Sequence, residues 1–303
     1  MACSFPITIK NPAAKLDRSA AAYIPVPCGT CPKCLDTRVN GWIFRLLQHE
    51  KISTSAHFVT LTYGTNDNPL GHTTPNGLKT LVKSDYQKFM KVLRNQYRYR
   101  AINPETGRYK YYYDRVPNIK YFACGEYGSK RQRPHFHAII FNTDANLITQ
   151  SWPHGFVHIG SVTGASIAYT LKYMHKPKKV FAENDDRLPE FQLQSQGLGE
   201  NYITPQIVKY HQNDLSRLYC TMSGGQKTAM PRYYRNKIYT DLQRKQQSRM
   251  AQAMQLQLKE KQQLEYLQEN GSLQYFYRDE SQRKFAYLDI WRQRSTTSRN
   301  ISF

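Results

Sequence analysis

Val39, Trp42, Ile43, Leu46 and Leu47 recur at i, i+3, i+4, i+7 and i+8, the apolar stripe of an amphipathic helix, which Ser53 to Ala56 then break. The run HFVTLTY that follows is rich in β-branched and aromatic residues and predicts a strand. A long loop leads to Ser84 and Gln87, spaced as a capping box, and to a helix with Tyr86, Phe89, Met90, Leu93 and Tyr97 on one face. RYRAINPETGRYKYYYDR predicts a hairpin or basic flap. IKYFACGEYG and RPHFHAIIFN predict two strands joined by the basic loop GSKRQR. WPHGFVHIGSV predicts a turn and a short strand, and GASIAYTLKYMHKP a helix ended by Pro177.

This order of elements predicts an α+β fold, with a central, mostly antiparallel sheet flanked by helices. Residues 181–239 predict an irregular, basic accessory region. From Thr240 to Asn270 there is neither Gly nor Pro, so a long polar helix is expected, capped by Thr240 with Gln243 and stopped at Gly271. Four segments follow: 1–52 with the cysteines and first helix, 53–180 as the core, 181–239, and a helical tail over 240–303. No internal repeat is visible.

Charge changes the picture. The 303-residue chain carries a formal net charge of +21, which favours a polyanionic partner. From Lys79 to Arg133 there are 14 Lys and Arg against 4 Asp and Glu. The 23 tyrosines, interleaved with cations, suit unpaired bases and hence single strands. No apolar run reaches the roughly 18 residues of a membrane span, and MACSFPITIKNPAAK lacks the apolar core of an export signal, so a soluble, intracellular protein with no membrane partner is expected.

The candidate chemistry lies in two places. His135 and His137 are two apart on a predicted strand, so they point to one face while Phe136 and Ala138 point to the other. Two parallel imidazoles form a chelate for a divalent metal, and Glu126, nine residues before His135, reaches the same face if the connecting hairpin is short. A bare His-x-His reads equally well as two surface histidines on a half-exposed strand. A metal held this way would polarise a non-bridging phosphate oxygen. Downstream, Tyr169 and Tyr173 are four apart on a predicted helix, with Lys172 and Lys176 on the adjacent stripe. A phenol with a pKa near 10 needs a metal or cations to become a nucleophile, and tyrosines at this spacing are more often core packing.

FVTLTYG, RPHFHAIIF and YTLKYMHK, in that order, resemble the three motifs of the HUH endonucleases that start rolling-circle replication. The Tyr-x-x-Lys-Tyr form is similar to the replication initiators of the microviruses, small single-stranded DNA phages. PCGTCPKCLDTRVNGW, SQGLGENY and MPRYY resemble the gokushovirus branch. The resemblance covers roughly residues 1–240 and implies an HUH endonuclease-like fold. It implies that His135 and His137 bind Mg²⁺ or Mn²⁺, with Glu126 as third ligand, and that Tyr169 and Tyr173 are nucleophiles with Lys172 between them. It implies that one tyrosine attacks a phosphodiester in single-stranded DNA at a replication origin, forming a 5′-phosphotyrosine and freeing a 3′-hydroxyl. The second lets the enzyme cleave the regenerated origin and rejoin the strand. A host polymerase and helicase would be partners, in the host bacterial cytoplasm.

Around this site, Lys130, Arg131, Arg133 and Lys176 are expected to hold DNA phosphates, with Thr60 and Thr62 on one face of the HFVTLTY strand. PRYYRNK mixes rings and cations and fits either stacking on single-stranded DNA or a solvated turn. Met250, Met254 and Leu258 share a stripe on the tail helix. Cys28, Cys31 and Cys34 repeat every three residues, and Cys3 supplies a fourth thiol, which makes a structural Zn²⁺ site a candidate beside the plainer reading of reduced cysteines in a loop. Charge and tyrosines alone also suit a water-using metal nuclease or a non-catalytic nucleic-acid-binding viral protein. Only the second leaves the paired histidines without a reason.

Overall fold

The computed structural model describes residues 3–11, 22–64, 73–112, 116–128, 131–175 and 184–297, with the side chains of 173, 175 and 294–297 set aside. It separates into two compact units, Arg45–Asn201 and Met1–Phe44 with Tyr202–Phe303, so that the boundary falls within one helix.

The first elements are the antiparallel pair β1 (Ile7–Lys10) and β2 (Tyr23–Val26), then α1 (Pro32–Glu50). In the unit Arg45–Asn201, the strands are β3 (Ala56–Thr62), β4 (Tyr99–Ile102), β5 (Tyr109–Tyr112), β6 (Lys120–Tyr127), β7 (Pro134–Phe141), β8 (Val157–Ser161) and β9 (Phe191–Gln194). Its helices are α2 (Lys83–Asn95), α3 (Ala145–Ser151) and α4 (Gly164–Leu171), the last running into a 3-10 turn over Lys172–His175. Five strands form one antiparallel sheet in the order β8-β3-β7-β6-β9, while β4 and β5 form a separate ribbon. The fold is therefore α+β with an antiparallel sheet.

The period of two along each strand sorts the sheet into two faces. Val59, Leu61, Phe136, Ala138 and Ile140 are buried on one, against Tyr86, Phe89, Met90 and Leu93 of α2 and Ile148 of α3. Phe136 is the hub of this face: its ring meets those of Tyr63, Tyr86 and Trp152 at centroid distances of 6.2, 5.5 and 5.9 Å. With the apolar residues of β7 committed to that face, His135 and His137 are left on the other, where α4 packs on β6 and β7.

The second unit holds α5 (Pro205–Gln212), β10 (Tyr219–Thr221), β11 (Lys227–Ala229), α6 (Arg232–Ile238), α7 (Asp241–Asn270) and α8 (Phe276–Thr297). Its core gathers Phe44, Cys220, Met230, Tyr234, Ile238 and Tyr239. Thr240 and Gln243 form the capping box of α7, and Gly271, at φ 68°, ends it in the left-handed conformation. Met250, Met254 and Leu258 of α7 are all exposed. Among the described residues no helix is long and apolar enough to cross a membrane.

Four expectations need correction. The stretch after residue 180 is not irregular, since it supplies β9, α5, β10, β11 and α6. Nor does Ser84 cap α2: the N-cap is Val82, extended and without a side-chain bond, so Ser84 is already inside the helix. Burial decides this start, because Leu81 is 2% exposed and its N–H donates to Tyr127 Oη at 3.0 Å. The α-helix expected to run to Pro177 ends at Leu171, and the tyrosine spacing must be judged on the tighter turn that follows. Finally, α3 lies in a stretch with no predicted element, where Asp144 caps it by accepting from Asn146 N–H at 2.7 Å.

Candidate active site

Adjacent strands of the sheet build the site. In the β6–β7 pairing, Glu126 lies directly opposite His135 and Cys124 opposite His137. In the β3–β7 pairing, Thr60 lies opposite His137 and Thr62 opposite His135. Directly opposite residues share a face, so Thr60, Thr62, Glu126, His135 and His137 project together. The tight β6–β7 connection fixes this register: Gly128 N–H donates to Arg133 O at 2.9 Å, and Gln132, at φ 51°, turns the chain back.

Glu126 Oε1 lies 3.2 Å from Nε2 of His135 and 3.2 Å from Nε2 of His137. One ligand atom of each residue falls within 4.8 Å of the others. All three side chains are largely shielded, at 13%, 15% and 7% exposure for Glu126, His135 and His137, which raises the cost of leaving the carboxylate uncompensated.

The far sides of both rings are held as well. His135 Nδ1 is 3.1 Å from Arg133 O, a carbonyl that can only accept, so the ring carries a proton on Nδ1. His137 Nδ1 is 2.9 Å from Thr60 Oγ1, and with that oxygen accepting, this ring too directs Nε2 at Glu126. Two imidazole lone pairs then face one carboxylate oxygen. Only a cation makes that arrangement favourable, either a second proton on each ring or one ion shared by all three residues. Adjacent ligands around an octahedral ion with bonds of about 2.1 Å lie about 3 Å apart, so the 3.2 Å separations fit a small divalent metal with little movement.

Tyr169 reaches this group from α4. Its ring meets that of His137 edge to face at 5.0 Å and that of Phe58 at 6.0 Å, while Phe58 stacks on His137 at 5.7 Å. The tyrosine remains 46% exposed, open to a substrate. Thr163 and Ser166 form the capping box that starts α4, and Cys124 Sγ donates to Thr170 O at 3.3 Å, pinning the helix to β6. Lys172 follows as the C-cap of α4. Tyr173 lies in the 3-10 turn, its side chain outside the described residues, and Lys130 and Lys176 fall outside them altogether.

Of the remaining expected DNA contacts, Arg131 and Arg133 are exposed on the β6–β7 connection. Thr62 Oγ1 donates to Phe156 O at 3.2 Å, so this hydroxyl helps to close the end of the sheet. Nearby, Gly155 at φ 150° brings its backbone so close to β3 that a Cβ would lie 2.5 Å from Thr62 O.

The β4–β5 ribbon was legible as a hairpin but carried no assigned role. Arg98 and Arg100 interleave with Tyr111 and Tyr109, each guanidinium 4.4 and 4.3 Å from its ring, and Tyr99 stacks on Tyr112 at 5.5 Å. Alternating Arg and Tyr, two apart on each strand, was the signal that would have found this ladder.

Cys3, Cys28, Cys31 and Cys34 also come together, with their four Sγ atoms within 4.8 Å of one another.

Residues 56–178 match the family model of the ORF2-type replication-associated proteins. The chain is 27% identical over 240 residues to replication-associated protein VP4 of Bdellovibrio phage phiMH2K, covering 73% of this chain and 70% of that one. It is 29% identical over 241 residues to replication-associated protein ORF2 of Spiroplasma virus 4, covering 72% and 69%. Replication-associated protein ORF4 of Chlamydia phage 1 is 24% identical over 238 residues, 70% of this chain and 53% of that one. No solved structure matches the chain. The chain thus resembles microvirus-like replication initiators.

Proposed function

We propose that this protein initiates rolling-circle replication of a small circular phage genome, as a metal-dependent enzyme of the HUH, two-tyrosine type that nicks and rejoins single-stranded DNA at an origin. The observation that carries the reading is the meeting of Glu126, His135 and His137 around one point, with the Tyr169 ring against His137. The relatives' names, all replication-associated proteins of small phages, support it.

Glu126, His135 and His137 would hold Mg²⁺ or Mn²⁺, which when bound polarises a non-bridging oxygen of the scissile phosphate and offsets charge in the transition state. The Tyr169 or Tyr173 phenol oxygen attacks phosphorus. The bond from phosphorus to the 3′ oxygen breaks, and that oxygen leaves as a hydroxyl, taking up the proton the phenol gives up. The 5′-phosphotyrosine conserves the phosphodiester bond energy, so attack by a 3′-hydroxyl rejoins the strand. Lys172 lies where its charge would steady the phenolate. Arg131, Arg133, Lys130 and Lys176 would hold phosphates, and the β4–β5 ribbon would grip the strand through its Arg–Tyr ladder. The freed 3′-hydroxyl would prime a host polymerase, with a host helicase opening the duplex, inside the infected bacterial cell.

Single-stranded DNA of the cognate viral origin, mixed with the protein and Mn²⁺ and run on a denaturing gel, tests this reading. A protein–DNA adduct is expected that requires the metal. It should fall at least about 100-fold in Tyr169→Phe/Tyr173→Phe and in His135→Ala/His137→Ala, while DNA binding survives in the tyrosine variant. Cleavage without an adduct would point to a nuclease that uses water, and binding with neither would point to a non-catalytic role.

A further inference from the structure

We propose that Cys3, Cys28, Cys31 and Cys34 bind one structural zinc ion that fastens the N-terminal hairpin to the start of α1. This inference is independent of the proposed reaction, because the four cysteines lie in the compact unit that lacks Glu126, His135 and His137.

The four thiols come from three places in the chain. Cys3 precedes β1, Cys28 lies in the turn after β2, and Cys31 and Cys34 flank the first residues of α1. Cys3 Sγ lies 3.5 Å from Cys28 Sγ and 3.7 Å from Cys31 Sγ. A disulfide would require about 2.05 Å, and all six cysteines of the chain are free. A regular tetrahedron of zinc–sulfur bonds of about 2.3 Å has edges of about 3.8 Å, close to the separations found. A four-iron cube spreads its thiolates much farther apart, so the compact set favours a single ion. Four sulfurs fill a tetrahedral shell and leave no open position, which makes the site structural rather than catalytic.

The backbone is already arranged for thiolate charge. Cys28 N–H donates to Cys3 Sγ at 3.3 Å, and Cys31 N–H donates to Cys28 Sγ at 3.3 Å. Arg38 brings a guanidinium to the same turn, donating to Gly29 O at 3.3 Å. Each thiol loses its proton as the zinc–sulfur bond forms, so uptake releases protons to solvent.

The hairpin gives a reason for such a clamp. All four residues of β1 are exposed, and Ile7, Ile9 and Tyr23 keep 50%, 39% and 58% of their surface in water. A two-stranded ribbon with so little buried apolar area is marginal by itself. Coordination through Cys3 at one end and Cys28 at the other closes the loop that contains it, and supplies what an apolar core does not.

The test is metal analysis of the purified full-length protein after dialysis, with a Co²⁺-substituted sample for absorption spectroscopy. About one zinc per chain is expected in the wild type and in His135→Ala/His137→Ala, and less than about a tenth in Cys28→Ser/Cys31→Ser. Cobalt should give the intense visible bands and near-ultraviolet charge-transfer band of a tetrahedral thiolate site. Should the cysteine variant not fold, mercurial titration of the wild type replaces it, and zinc release should track the modification of four thiols. Zinc below a tenth of an equivalent in the wild type, iron in its place, or zinc lost in the histidine variant but kept in the cysteine variant would each overturn the proposal.

Discussion

Thr60 and Arg133 belong to no candidate ligand set, yet each governs what a histidine of that set can do. Arg133 acts through its carbonyl, which holds the Nδ1 proton of His135, and Thr60 through a hydroxyl against Nδ1 of His137. The histidines were legible from the sequence, because alternation along a strand is a strong signal. Their orienting partners were not, because one is a backbone atom and the other comes from a strand whose register the sequence leaves open. His49 is a second residue whose role only the structure gives. It is 4% exposed, its ring meets Phe141 edge to face at 4.9 Å, and among the described residues neither ring nitrogen has a hydrogen-bond partner. Burial, and then the nearby charge of Lys120, push its pKa below the ordinary histidine range. The folded protein therefore keeps this ring neutral where the unfolded chain protonates it. Its contribution is complete above the unfolded value of about 6.5 and is lost as pH falls through the lower folded value. We expect His49→Leu to flatten the decline of Tm between about pH 7 and pH 5, as measured by thermal melts. An unchanged slope would contradict the assignment.

At the scale of elements, the β6–β7 hairpin is the part of the site most legible in sequence. Two apolar runs separated by GSKRQR announce it, and its shortness places Glu126 opposite His135. What pattern could not supply was the end of α4. Nothing in YTLKYMHK distinguishes an α-helix from an α-turn that tightens at Lys172, and the back-bond from Thr170 Oγ1 to Ser166 O at 2.9 Å, known to bend helices, becomes visible only in three dimensions. The strand β9 was missed because FQLQ is short, and it is held in place by pairing with β6. The ribbon β4–β5 carries a prediction of its own. Arg98 and Arg100 are held over tyrosine rings on one face, preformed for a nucleic-acid backbone and its bases. Arg98→Ala/Arg100→Ala should weaken binding of single-stranded DNA about 10-fold at fixed salt and lower the slope of log K against log salt by between about 1 and 2. A titration series showing neither change would remove the ribbon from the DNA path.

For the whole molecule, the net charge of +21 anticipated a polyanionic partner, and the order of motifs anticipated the stretch 56–178 matched by the family model. That stretch lies inside one compact unit, Arg45–Asn201, which holds the sheet, the three metal-ligand candidates and Tyr169. The other unit was the least legible. Its core residues Phe44 and Tyr234 are far apart in the chain yet meet edge to face at 5.9 Å, and contacts of such separation leave no local period to read. Everything proposed for the reaction turns on whether a tyrosine becomes covalently joined to DNA. The direct measurement is to react labelled origin strand with the full-length protein and Mn²⁺, digest the product and locate the modified peptide by mass spectrometry. The account predicts a nucleotide linked through its 5′-phosphate to Tyr169 or Tyr173, and a released fragment ending in a 3′-hydroxyl. Two free fragments, one bearing an unattached 5′-phosphate, would show that water is the nucleophile and contradict it.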